Sequence, residues 1–168
     1  MDIRFAIITC SDTRDLTADE AGAVLEALVT EHGWTVASHV VVRDDASQIK
    51  SAICRASDGG AADIVLTCGG TGLSPRDVTP EATRAVCERD VPGIAEAMRA
   101  ASMGKTRRAM LSRAVCMQRF VATAEGVRLA LVVNLPGSTK AATECFEAVC
   151  DQFDHAMRMT AGGGHARG

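Results

Sequence analysis

An apolar run closed by a glycine-rich turn constrains this chain more than any other stretch. Ala62, Ile64, Val65 and Leu66 read as a strand buried on both faces, and the segment Thr67 to Ala82, TCGGTGLSPRDVTPEA, leads from that strand into a helix. A strand without a polar face needs cover on both sides, which helices packed over a mostly parallel sheet supply. Gly69, Gly70 and Gly72 remove the side chains that would keep a phosphate away from backbone N–H groups. Asp77 follows, then a helix start with Thr79 as expected N-cap, Pro80 at the first helical position and Glu81 in the first turn. Glycines beside a helix start point to a phosphate ligand, and the acid points to a metal ion between the two. The alternative is a glycine-rich turn with no ligand.

Two common phosphate motifs are excluded. A P-loop needs Gly-Lys-Ser/Thr, and Gly72 is followed by Leu73 and Ser74. A dinucleotide fingerprint needs a glycine where Pro75 stands.

The rest of the chain repeats the alternation. Strand-like runs lie at Phe5 to Thr9, Val36 to Val42, Ile64 to Cys68 and Leu129 to Asn134. Ala21, Val24, Leu25, Leu28 and Val29 form an amphipathic helical stripe, and Ile49, Ala52, Ile53 and Ala56 a second. Val115 to Val121 and Val127 to Val133 flank Ala124-Glu125-Gly126, which predicts a hairpin. A last helix is predicted from Ser138 as N-cap, with Ala142, Cys145, Phe146, Val149 and Phe153 on its buried stripe. The expected fold is an α/β three-layer sandwich, a mostly parallel sheet with helices on both faces plus a short β-hairpin. Ligands of such sheets bind at the carboxyl ends of the strands. That gathers Ser11-Asp12, Asp44-Asp45, the Gly69 to Asp77 loop and Asn134 to Ser138 into one cleft. Asp45 reads more simply as a helix cap, and Ser11-Asp12 reads equally well as an ordinary turn.

Composition narrows the partners. With 18 basic against 21 acidic residues, a net charge of −3, four Phe and one Trp, the chain has neither a basic footprint nor a stacking platform for nucleic acid. No apolar stretch approaches a membrane span, and the first strand begins too early for a signal peptide, so the cytoplasm is the expected location. Seven cysteines without a C-x-x-C pair indicate no disulfide framework and no zinc ribbon; Cys68 is expected to be a core thiol. The histidines, His165 among them, show no metal-ligand spacing. A single domain is expected over 1–160, with a disordered tail over 161–168.

The segment GGTGLSPRDVTPEAT resembles the signature of the MogA/MoaB family of molybdenum-cofactor biosynthesis proteins, which gephyrin carries as one domain. AIITCSDTR, VVRDDASQI, PGIAEAMRAAS, MLSRAV and NLPGSTKA follow the family's order, so the resemblance covers roughly residues 4 to 155. It implies a molybdopterin adenylyltransferase: the pterin's terminal phosphate attacks the α-phosphorus of ATP and pyrophosphate leaves. It implies Asp77 and Asp44 as the catalytic carboxylates that hold Mg2+ and ATP. Gly69, Gly70, Thr71 and Gly72 would bind phosphate, opposite a wall of Pro136, Gly137 and Ser138. Ser11, Asp12, Ser102 and Ser112 would bind molybdopterin, with Arg113 as an anion partner. It further implies a homotrimer or hexamer, and contact with the molybdate-insertion enzyme that consumes the product. Asp19-Glu20-Ala21-Gly22 departs from the family's Asp-x-Ser-Gly, and the segment from Val115 to Gly126 is longer than the family's, which bears on a subunit contact. The alternative function is a non-catalytic molybdopterin-binding or scaffold protein of the same pathway; retention of Asp77 favours the enzyme.

Overall fold

The structure, a computed structural model, describes residues 2–162. The predicted disordered tail lies, from residue 163 on, outside the described residues, as does His165. The strands are β1 (Arg4–Cys10), β2 (Thr35–Val42), β3 (Ile64–Cys68), β4 (Arg89–Asp90), β5 (Cys116–Thr123) and β6 (Gly126–Leu135). The helices are α1 (Glu20–Glu31), α2 (Ala46–Ser57), α3 (Thr79–Arg84), α4 (Pro92–Met103), α5 (Thr139–Glu147) and α6 (Phe153–Thr160). All six strands share one sheet in the order β2-β1-β3-β6-β5-β4. β2, β1, β3 and β6 are parallel; β5 runs antiparallel to β6, and β4 antiparallel to β5.

The sheet buries both faces, as the apolar run at β3 requires. Phe5, Ile7, Leu66 and Val133 face α1, α4, α5 and α6, while Ala6, Ile8, Val65 and Val132 face α2 and α3. On the first side Phe5 stacks on Trp34 at 5.1 Å, and Phe146 meets Phe153 edge-on at 5.9 Å. Each fully buried Phe contributes roughly 2–3 kcal/mol by leaving water. Thr9 pairs with Cys68 and Cys68 with Leu135, so β1, β3 and β6 end level. Their following loops therefore open on one edge of the sheet.

Capping explains where three helices begin: the side chains of Asp19, Asp45 and Ser138 accept from the backbone N–H of Gly22, Gln48 and Ala141. The start of α3 differs from expectation. Val78, not Thr79, is the capping residue, and Thr79 is already helical. With 6 residues, α3 is also too short for its aligned dipoles to matter much at the preceding loop. The last helix is broken: α5 ends at Glu147 and a 3-10 turn at Cys150–Gln152 leads into α6. The predicted stripe still buries, divided between the two pieces. The hairpin forms as predicted, β5 meeting β6 through the pair Thr123 and Gly126.

Candidate functional site

Hydrogen-bonded straps tie the loops at the carboxyl edge together. The Gly69 N–H donates to the Leu135 carbonyl at 3.0 Å, and the Thr79 N–H to the Gly70 carbonyl at 3.1 Å. Asp12 accepts from the Asp44 N–H at 3.2 Å with one oxygen and from the Arg76 guanidinium with the other. Arg14 donates to the Gly137 carbonyl at 3.0 Å. The loops after β1, β2, β3 and β6 thus converge as the strand pattern predicts.

At their centre lies a cradle. Gly70 has φ +65°, and a Cβ there would overlap the Thr79 hydroxyl and lie 3.4 Å from Asp44 Oδ1. A Cβ at Gly72 would lie 2.9 Å from Asp77 Oδ2. Asp77 is held by the Ser74 N–H, which donates to Oδ2 at 2.9 Å. Gly70 has to be glycine, both for its φ and for the Thr79 hydroxyl, while Gly72 leaves the Asp77 carboxylate its place. Among the described residues, Asp44 Oδ1 and Thr79 Oγ1 are the buried side-chain N and O atoms without a hydrogen-bond partner. Burial, and then repulsion by Asp77, raises the pKa of Asp44. A carboxylate oxygen that is buried, unpartnered and repelled by a second carboxylate calls for a cation. Among the described residues, no group of three or more His, Cys, Asp or Glu could hold a metal by itself. Two carboxylates that leave the remaining positions to phosphate oxygens and water fit Mg2+ in particular.

Next to the cradle opens an apolar cavity of about 290 Å³, lined by Thr71, Gly72, Met98, Ser102, Ser112 and Pro136 among others. The structure therefore brings Ser102 and Ser112 to the glycine loop and to the opposite wall, as expected. Ser11 and Asp12 are not among its lining residues. They edge a separate open groove beside β2, about 640 Å³, with Arg14 and Gln48. Ser11 Oγ is occupied locally, accepting from the N–H groups of Thr13 at 3.3 Å and Arg14 at 3.2 Å.

Arg113 is tied to the glycine loop. Its Nε donates to the Gly72 carbonyl at 2.7 Å, and its other nitrogens to the Asp77 carbonyl and the Glu81 carboxylate. With three of its five N–H groups so engaged, Arg113 braces the glycine loop. The Glu81 carboxyl is held below its ordinary range by that contact. Sequence reasoning missed Arg99, which lines the cavity and donates to the Ala114 carbonyl at 2.9 Å. Its spacing of three from Ser102 on α4 was the available signal. Thr79 was missed because a threonine before proline reads as a cap. Cys68 is a core thiol as expected, pushed up to about 12 by burial.

Among the described residues no helix is long and apolar enough to cross a membrane. The family described as the probable molybdopterin binding domain matches residues 6–155. The chain is similar to the molybdopterin adenylyltransferase of Helicobacter pylori strain J99, 30% identical over 95% of this chain and 89% of that protein. It is 34% identical, over 94% of its length, to molybdenum cofactor synthesis protein cinnamon of Drosophila melanogaster, of which it spans only 25%. Its fold is similar to the crystal structure of the molybdopterin biosynthesis enzyme MoaB of Thermus thermophilus, with a TM-score of 0.80 and 37% identity over 95% of this chain and 97% of that one.

Proposed function

This chain belongs to the MoCF_biosynth family, the probable molybdopterin binding domain, and from that premise we propose that it adenylylates molybdopterin with ATP in molybdenum-cofactor biosynthesis. The relative named molybdopterin adenylyltransferase supports the reaction, since it aligns along nearly the whole of both chains. The observation that carries the reading is the cradle: Asp44 and Asp77 beside Gly70 and Gly72, with Asp44 Oδ1 unpartnered, next to the cavity that Ser102 and Ser112 line.

Asp44 and Asp77 would hold Mg2+, which when bound would offset negative charge on the triphosphate. Gly69, Gly70, Thr71 and Gly72 offer ATP a phosphate surface free of bulky side chains, faced by Pro136, Gly137 and Ser138. Ser102 and Ser112 orient the terminal phosphate of molybdopterin in the cavity. An oxygen of that phosphate forms a bond to the α-phosphorus, the bond from the α-phosphorus to the bridging oxygen breaks, and pyrophosphate leaves with that electron pair. Arg113 keeps the glycine loop and Asp77 in place while charge moves across them. Residues 1–160 act as a single domain, in the cytoplasm, as a homotrimer or hexamer that passes its product to a molybdate-insertion enzyme.

Incubation with ATP labelled at the α-phosphorus, Mg2+ and molybdopterin tests the reaction. Label transferred to the pterin is expected. Tight pterin binding without transfer would instead support a binding or scaffold protein.

A further inference from the structure

We infer that the Thr79 hydroxyl is a third protein donor to the divalent cation at Asp44 and Asp77, an inference that rests on the Mg2+ reading above. Among the described residues, the other hydroxyl side chains with no exposure at all are satisfied. Thr9 donates to Asp19, Ser57 to the Ile53 carbonyl at 2.8 Å, Thr83 to the Thr79 carbonyl at 2.9 Å, and Thr67 accepts from Asn134 at 2.9 Å. Ser57 and Thr83 use the carbonyl one helical turn earlier, the usual recourse of a buried helical hydroxyl. Thr79, fully buried, has no such recourse because it is the first residue of α3. Its one polar contact among the described residues is the Cys10 thiol, which burial pushes up to about 12 against the opposing effect of the Thr79 hydroxyl; a thiol is a weak partner and leaves the hydroxyl without a strong hydrogen bond.

Leaving a buried hydroxyl unbonded carries a desolvation cost, so an unbonded one calls for a missing partner. That partner also has to account for Asp44 Oδ1, the other unpartnered buried oxygen, which borders the same space above Gly70. A single hard cation satisfies both, since Mg2+ takes oxygen donors and a hydroxyl oxygen carries lone pairs. A neutral donor adds a ligand without adding to the repulsion between Asp44 and Asp77. Gly70 keeps the space open, because any Cβ there would overlap the hydroxyl.

The test uses Mn2+ alone as probe, its affinity read by electron paramagnetic resonance as loss of the free-ion signal, with thermal melting of each ion-free protein alongside. Thr79→Val is expected to weaken Mn2+ binding by about tenfold, the low end of what losing a partner at a metal site costs. Its melting temperature should equal or exceed that of the wild type, because the hydroxyl removed loses only a weak contact with the Cys10 thiol. Thr79→Ser, which keeps the hydroxyl, should bind Mn2+ as the wild type does, and Asp77→Asn should bind it far more weakly than either. Equal affinity in the wild type and Thr79→Val, with Asp77→Asn still impaired, would overturn the inference and leave the cation site standing. A Thr79→Val protein that melts well below the wild type or fails to fold would overturn it too, by showing that the hydroxyl is bonded within the protein. Wild-type protein that binds no Mn2+ would remove the cation site and this inference together.

Discussion

Two carboxylates near the carboxyl edge of the sheet meet opposite conditions. Asp19 is buried, yet one oxygen accepts from the Gly22 N–H at 3.0 Å, and the other from Thr9 and from His39 Nε2 at 2.9 Å. The far nitrogen of His39 faces Glu26 at 3.2 Å. Burial pushes the Asp19 pKa up, but the bonds from Thr9, Gly22 and His39 outweigh it and hold the carboxyl below its ordinary value. Asp44, in the loop after β2, has a bare Oδ1 and a second carboxylate near it, and its pKa is raised. Saturation marks Asp19 as structural, pinning α1 to β1 and β2. An unsatisfied oxygen sets Asp44 apart, and on the function proposed above it is where the cation would bind.

Mutations separate the two. Asp77→Ala should cost about 10³-fold in pterin-dependent pyrophosphate release, about 4 kcal/mol of transition-state stabilisation, while circular dichroism stays that of the wild type. Asp19→Ala removes the α1 cap and strands Thr9 and His39. It should cost about 3 kcal/mol, read in urea denaturation, and lower the melting temperature by roughly 9 °C, with turnover of the folded fraction retained. Gly72→Ala places a methyl 2.9 Å from Asp77 Oδ2 and should reduce turnover about tenfold, with less than about 1 kcal/mol lost in the same denaturation. Arg113→Lys cannot reproduce the fork onto Gly72 and Asp77 and should cost a few-fold in kcat.

The smallest effect is on pH dependence. Because the Asp19 pKa is lowered, its stabilisation is present above the ordinary carboxylate value, about 4, and is lost as pH falls through the lowered one. Asp19→Asn should flatten that acid limb in melts taken across about pH 2 to 5. A limb unchanged by the substitution would break the contrast on its structural side.

Much of this was legible in the residues. The apolar run at β3, the stripes of α1 and α2 and the capping side chains Asp45 and Ser138 are local patterns, and local patterns survive folding. α4 buries only Ala95 and Met98 fully, too sparse a stripe to announce itself, and β4 is 2 residues long. The cleft was legible because strand order alone sends those loops to one edge. What each polar group does there was not. Whether Arg113 is free depends on carbonyls from Gly72 and Asp77, and whether Thr79 caps depends on the backbone at Val78. Such partners are set by tertiary contact, beyond the reach of spacing. The family resemblance groups Ser11 with Ser102, and the structure separates them between a groove and a cavity.

The most direct test sets Asp44→Asn beside Asp19→Asn, measuring melting temperature without ligands and pyrophosphate release with Mg-ATP and molybdopterin on the same preparations. The account predicts that the Asp44→Asn protein melts at or above the wild type and releases no pyrophosphate, since the change relieves a repulsion but loses a cation ligand. The Asp19→Asn protein should melt lower and still turn over. Full turnover by the Asp44→Asn protein would contradict the account.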